Sequence, residues 1–340
     1  MQGIMNCPTP LIAGRQYDGL ATSLRDFTGE AGQDRAMTRG DANLRGASLM
    51  ALSMLCFVSN DALMKMLFAK MSIYQAIFLR GVITVPLIAV LAWQQGALIV
   101  RLARRDRALV GLRVSAEVGA TVGFLTALKY MPLANVTAIL QVLPLTVTMA
   151  AALFLGEPVG WRRWLAILIG LAGVIIIIRP GMEGFSAYSL WALGAVGCIT
   201  LREICTRKLS SDLPSLPVAL ATAIAIGVLG AAMLPAVTWA PVSAGSWALL
   251  VGTSVAIIGG YLFSVMTIRI GDIGFVAPFR YTAMVWAITL GLLLFGELPD
   301  LATSIGTGIV IITGLYSLHR ERQVRQTAPE PARPTNQDRD

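Results

Sequence analysis

Charge is scarce in this 340-residue chain. Asp, Glu, Lys and Arg make up 14% of it, against 56% hydrophobic residues and a mean hydropathy of +0.70. So little charge cannot clothe the surface of a water-soluble domain of this length, and bilayer hydrocarbon is the solvent the composition calls for. Histidine is nearly absent: His319 stands alone beside Arg320, at the end of an apolar run where a headgroup position is the default. The four cysteines, Cys7, Cys56, Cys198 and Cys205, show no paired metal or redox spacing, and three of them sit in apolar runs as small core residues would. No Walker loop, Gly-x-Ser-x-Gly elbow or His-Glu-x-x-His helix occurs. ATP-driven pumping and the standard hydrolase chemistries therefore lack their parts, and neither cofactor nor metal is expected. A net charge of +8 brings no basic face with interleaved aromatics, which speaks against nucleic acid as a partner. Residues 1–45 lack a basic stretch followed by an apolar one, so the first span is expected to insert and stay. Met5 and Met37 offer alternative starts, and N-terminal sequencing would distinguish them.

What is present is a succession of apolar runs, each about 18 to 22 residues long, the length that crosses roughly 30 Å of hydrocarbon at 1.5 Å per residue. They fall at 46–66, 73–93, 108–129, 132–155, 162–179, 187–207, 216–235, 246–269, 274–295 and 301–318. The connections are short and hold breakers or charges, such as Gly156-Glu157-Pro158, Arg179-Pro180-Gly181, Ser211-Asp212-Leu213-Pro214 and Gly296-Glu297-Leu298-Pro299. With the N-terminus in the cytoplasm, Arg101, Arg104, Arg105, Arg107, Arg162, Arg163, Arg207, Lys208 and Arg269 fall on the inner side. Lys70, Lys129 and Arg179 alone fall outside, as the positive-inside rule requires. Both termini are expected in the cytoplasm, with residues 1–45 and 319–340 as disordered tails. Trp161, Trp164, Trp239 and Trp247 lie near span ends, as an interfacial belt would.

An internal repeat organises these spans. The stretch from Lys129 to Glu157 maps onto Arg269 to Glu297 at a constant offset of 140, and both copies end in Gly-Glu. Upstream, an offset of 142 sets Cys56 against Cys198, Asp61 against Glu203 and Lys65 against Arg207. Five spans per copy is an odd number, so the second copy enters the membrane upside down. The expected fold is an all-α membrane protein of ten transmembrane helices in a 5+5 inverted repeat, 46–179 and 187–318, with a solute site at the midplane between the halves.

Ionisable residues inside spans are costly and usually face a cavity or a partner helix. Here they are Asp61, Arg80, Arg113, Glu117, Arg202, Glu203 and Arg280. Arg113 and Glu117, four apart, share one helix face and are placed to pair. Asp61 lies deeper than Lys65, which is near enough to the span end to snorkel. Its candidate roles are a cation or proton site, a helix–helix hydrogen bond and a gate. Glu203 is its image in the second copy, with Arg202 beside it as a neutraliser. Pro278 frees a backbone carbonyl two residues before Arg280, and Tyr281 follows; an arginine beside an aromatic ring suits a carboxylate, a phosphate or a planar heterocycle. Gln141 and Pro144 form the matching polar-plus-breaker element, with an interhelical bond as the alternative to solute contact. Gly119-xxx-Gly123 and Gly170-xx-Gly173 allow close helix approach. The candidate solute-binding set is Asp61, Arg80, Glu117, Gln141, Glu203, Arg280 and Tyr281.

Over 46–318 the chain resembles the drug/metabolite transporter superfamily, EamA type. The resemblance is carried by Ala127-Leu128-Lys129-Tyr130, Leu143-Pro144, Leu155-Gly156-Glu157 and Gly170 with Gly173-Val174, and in the second half by Ala277-Pro278 and Gly296-Glu297. The second copy has Met284 where Pro144 would repeat, so its helix break comes earlier. The resemblance implies a secondary transporter in a bacterial inner membrane, without a tightly bound cofactor, whose cavity is lined mainly by spans 1, 3, 4, 6, 8 and 9. Asn60-Asp61-Ala62-Leu63-Met64-Lys65, Phe78-Leu79-Arg80-Gly81 and Ala277-Pro278-Phe279-Arg280-Tyr281 look like its riboflavin and S-adenosylmethionine uptake branch. Riboflavin is the first solute expected, then S-adenosylmethionine or amino-acid-derived metabolites. A membrane-embedded scaffold or enzyme is the alternative of a different class, and the oligomeric state is left open.

Overall fold

The computed structural model describes residues 39–94, 103–182, 184–210, 215–270 and 272–327. Arg101 and the turn at 211–214 lie outside them, as do most of the N-terminal tail and the end of the C-terminal one. The described backbone is helical: α1 Arg39–Phe68, α2 Ile73–Gln94, α3 Arg104–Tyr130, α4 Leu133–Leu140, α5 Leu143–Phe154, α6 Trp161–Ile178, α7 Tyr188–Lys208, α8 Ser215–Met233, α9 Ala244–Ile270, α10 Ile273–Val276, α11 Thr282–Phe295 and α12 Leu301–Thr327. Apolar side chains cover these helices on nearly all sides, so lipid satisfies the outer faces and the backbone bonds stay within each helix.

Among the described residues nine helices or broken helices are long and apolar enough to cross a membrane. The tenth, α7, has 21 residues but carries Arg202, Glu203, Arg207 and Lys208 in its last two turns, and it packs along α3 and α5. Together they are the ten helices the sequence predicts. Two boundaries differ from expectation. α1 begins at Arg39 and α12 runs on to Thr327, because a helix keeps its internal hydrogen bonds after it leaves hydrocarbon and its charged residues then meet water. The C-terminal tail is thus helical through Thr327, and His319 shares a hydrogen bond with Gln323 Nε2 at 3.0 Å.

The fourth and ninth spans are both broken. α4 gives way to α5 at Gln141-Val142, with Pro144 at the start of the second segment. α10 passes through a 3-10 turn, Ala277–Tyr281, into α11, with Pro278 at its start. Proline has no N–H to continue the ladder, so each break falls where the sequence withdraws a donor.

The repeat appears as reciprocal contacts. In a two-fold arrangement, if residue i of one copy touches j of the other, the image of j touches the image of i. Gly119 packs on Cys198, and their images Gly259 and Cys56 pack together as well. Gly170 abuts Thr313 while Gly173 abuts Val310, an exchanged pair at an offset of 140. Gln141 and Tyr281 are each other's image, and Gln141 Nε2 points at the Tyr281 carbonyl oxygen at 3.4 Å. A residue that meets its own image lies on the axis. Contacts between span ends also respect an alternating path: Asn43 Oδ1 accepts from Asp272 N, Arg163 pairs with Glu321, and Gln75 bonds the Ala240 backbone. Each joins ends that an alternating chain puts on the same side.

Candidate solute site

Six charged side chains lie inside the spans in two groups: Asp61 on α1 within reach of Arg80 on α2, and Glu117 on α3 joined to Arg202 and Glu203 on α7, with Arg113 one turn before Glu117. All are partly accessible. Arg202 is the best satisfied. Its Nη1 donates to both Glu117 oxygens, at 3.1 and 2.8 Å, and its Nη2 donates to Glu203 Oε1 at 2.5 Å. A cation shared by two carboxylates leaves one negative charge, and Arg113, one turn before Glu117, balances it.

The pairing of Arg113 with Glu117 that their spacing suggests is replaced by another. Arg113 Nε donates to Thr206 Oγ1 at 3.0 Å and Nη1 to Thr222 Oγ1 at 3.1 Å. Glu117 goes to Arg202 because the two copies meet there: Nη1 donates to both Glu117 oxygens while Nη2 holds Glu203, so one guanidinium joins two carboxylates on different helices. Lys65 likewise leaves Asp61 for Glu297 of the second copy, at 2.8 Å.

Asp61 and Arg80 are different. Asp61 Oδ1 accepts from Asn60 Nδ2 at 2.9 Å, and the carboxylate lies within electrostatic reach of Arg80. The described ion pairs do not join them. Beside them stands Tyr261 of α9, exposed at 59% and set edge-on to Phe57 with ring centroids 5.3 Å apart. Tyr261 lies within electrostatic range of Arg80 on one hand and of Glu117, Arg202 and Arg113 on the other. Sequence reasoning missed it. Its signal is a hydroxyl in an apolar span directly after Gly259-Gly260, and a side chain at Gly260 would meet the Phe57 ring at 2.7 Å.

The other candidates fall elsewhere. Tyr281 is buried with its ring against Gly314 of α12, and its hydroxyl has no hydrogen-bond partner among the described residues. Arg280 is exposed and acts on Tyr281, whereas the charges acting on Asp61, Arg80, Tyr261 and Arg202 come from one another and from Glu117, Glu203 and Arg113. Gln141 meets Tyr281 in the axial contact, the interhelical alternative of the sequence reading. The structure thus brings Asp61 within reach of Arg80, joins Glu117 to Glu203 through Arg202, and leaves Gln141, Arg280 and Tyr281 in a further group around the broken helices. Among the described residues there is no cluster of His, Cys, Asp and Glu fit to hold a metal ion.

Broken helices at a two-fold axis, with charges facing inward, are the architecture of a carrier. Residues 44–179 match the EamA-like transporter family. They are an EamA-like transporter unit. The reciprocal contacts make the second copy its counterpart, so the whole bundle is the ten-helix repeat fold of EamA-like proteins, and the chain is a small-molecule transporter. The pseudopaline exporter CntI of Pseudomonas aeruginosa (strain UCBPP-PA14) is 25% identical over 286 residues, covering 82% of this chain and 97% of that protein. The S-adenosylmethionine uptake transporter of Rickettsia conorii is 26% identical over 200 residues, 58% of this chain and 66% of that one. The riboflavin transporter of Vibrio cholerae is 30% identical over 193 residues, 56% and 64%. One solved crystal structure superposes with a TM-score of 0.51 at 17% identity, over 86% of this chain and 100% of the other, a likeness of fold alone.

Proposed function

We propose that this chain is a secondary transporter of the bacterial inner membrane, with both termini cytoplasmic, that carries a small zwitterionic metabolite bearing a planar group. The observation that carries this reading is the Asp61–Arg80 couple: two opposite charges inside their spans, partly accessible, within electrostatic reach and without an ion pair between them among the described residues. A solute with its own cation and carboxylate would satisfy both, and this offsets the cost of holding them in the bilayer. The Phe57–Tyr261 pair offers an aromatic wall for a planar or apolar part.

This chemistry ranks S-adenosylmethionine and other amino-acid-derived solutes above riboflavin. Riboflavin brings the planar ring but no charges for Asp61 and Arg80. The relatives include named carriers of S-adenosylmethionine, riboflavin and pseudopaline at comparable identity, so the ranking rests on the charges alone, and since one relative is named for uptake and another for export, the test must not depend on direction.

Counterflow in reconstituted vesicles meets that need. Preloaded S-adenosylmethionine is expected to draw in the labelled compound, and Asp61→Asn and Arg80→Gln are each expected to abolish exchange while the protein stays in the membrane. Riboflavin exchange without S-adenosylmethionine exchange would return riboflavin to first place and refute the zwitterion reading. Full exchange in both variants would remove the two residues from the site.

A further inference from the structure

Two ion pairs join the first copy to the second, and each is the image of the other. Lys65 of the first copy holds Glu297 of the second at 2.8 Å, and Arg207 of the second holds Glu157 of the first at 3.0 Å. In the repeat register Lys65 corresponds to Arg207 and Glu157 to Glu297. Because α1 and α7 cross in opposite senses, the two pairs lie at opposite ends of the bundle. Each stands four residues, or about one helical turn, beyond a central acid, Asp61 or Glu203.

The same local device aims both carboxylates. Gly156 and Gly296 take the left-handed conformation, at φ 68° and 66°, directly after α5 and α11. The next amide reaches back into the helix: Glu157 N donates to Ala151 O at 3.3 Å and Glu297 N to Gly291 O at 3.0 Å. Glycine is the residue that adopts this turn without strain, and the turn sends the following side chain across to the other copy. This accounts for the repeated Gly-Glu in physical terms.

Their surroundings are unequal. The Lys65 and Glu297 side chains are exposed by 11% and 29%. Lys65 Nζ donates to both Glu297 oxygens and to Met131 O, each at 2.8 Å, and lies 4.8 Å from the centre of the Phe295 ring. Glu297 Oε2 also accepts from Leu133 N at 3.2 Å, capping the start of α4. Arg207 and Glu157 are exposed by 45% and 40% and make a single contact. A desolvated, multiply bonded pair holds its helices far more firmly than an exposed one.

In an inverted repeat, the conformation that opens the other way is reached when the two copies exchange environments. We propose that Lys65–Glu297 and Arg207–Glu157 are the alternating latches of the transport cycle, and that this structure is the state with the Lys65 end locked and the Arg207 end ready to part. The term cycle rests on the transporter reading, but the test needs no solute.

Spin labels are placed on cysteine pairs in a background with the native cysteines replaced, in the full chain in lipid nanodiscs: Ala69 with Leu298 at the Lys65 end, and Gly160 with Lys208 at the other. Lys65→Met and Glu297→Gln are each expected to raise the long-distance population at the Lys65 end by about tenfold or more. Arg207→Gln and Glu157→Gln are expected to lengthen the other end by less than about threefold and to leave the Lys65 end closed. Lys65→Arg, which keeps a donor cation for Glu297 and Met131 O, is expected to keep the closed distance, which separates a lost latch from lost packing. Unchanged distances in both Lys65-end variants, equal opening at both ends, or equal opening in Lys65→Arg and Lys65→Met would each overturn the proposal. Absent counterflow in the wild type beside these distance changes would count against the transporter reading and leave the latches standing.

Discussion

Gly306 on α12 lies where the fifth spans of the two copies touch, and replacing it with alanine tests how tightly the copies are joined. A methyl group there would stand 2.6 Å from Gly173 O and 2.6 Å from Ile177 Cγ1, while Gly308, two residues on, has nothing within 4 Å. Backbone oxygen cannot swing aside as a side-chain tip can, so Gly306→Ala must push α6 and α12 apart. Overpacking of this kind costs about 1–3 kcal/mol. Gly→Ala inside a helix returns about 1 kcal/mol through propensity, and that gain is common to both positions. The difference between Gly306→Ala and Gly308→Ala is therefore the packing cost alone, about 1–3 kcal/mol. Equilibrium unfolding of the two purified variants in mixed detergent micelles measures it. Gly308→Ala is expected at or above wild-type stability and Gly306→Ala below Gly308→Ala by that margin. Equal stabilities would show that the seam is loose and that the close approach of Gly173 and Gly306 does not hold the copies together.

The Arg179 guanidinium beside Asp300 holds its carboxyl below the usual carboxylate range, with Thr303 N donating to it as a second cause. Because the folded-state pKa is depressed, this pair contributes stability above about pH 4 and loses it as pH falls through the folded value. Asp300→Asn is expected to cost up to about 1 kcal/mol at pH 7, Asp300 being half exposed. That difference should close below pH 4 in unfolding curves taken across the range, and a difference independent of pH would show that the ion pair is not its source. Tyr281→Phe removes a buried hydroxyl that has no partner among the described residues. It is expected to leave counterflow unchanged and stability equal or raised, whereas a collapse of transport would show that the hydroxyl meets the solute.

Much of the fold was legible because lipid imposes one rule on every helix: an apolar run long enough to span. The repeat register was legible too, and Lys65, Arg207, Glu157 and Glu297 fall on it. What the register could not give was partner choice. Spacing within one helix pairs Arg113 with Glu117 and Asp61 with Lys65, while the structure sends Glu117 to Arg202 and Lys65 to Glu297. Those partners lie 85 and 232 residues away in the chain, and only the crossing of the two copies brings them close. Tyr261 escaped notice for a related reason: a single hydroxyl in an apolar span carries no charge signal, and its place beside Phe57 and within range of Arg80 and Glu117 comes from the neighbours that α1, α2 and α3 bring to it. The ends of α1 and α12 overran their apolar runs because hydropathy marks where lipid stops, while hydrogen bonding decides where a helix stops.

Everything described depends on the second copy lying upside down against the first. Pro158 and Leu298 are exposed images at an offset of 140, each directly after a Gly-Glu turn. Single cysteines at these positions, in a background with the native cysteines replaced, are treated in intact cells and in inverted vesicles with a maleimide that cannot cross the membrane. Leu298→Cys is expected to react from outside only and Pro158→Cys from the cytoplasmic side only. Reaction of both from the same side would contradict the inverted repeat, and with it the axial contact, the Glu117–Arg202 bridge and the paired latches.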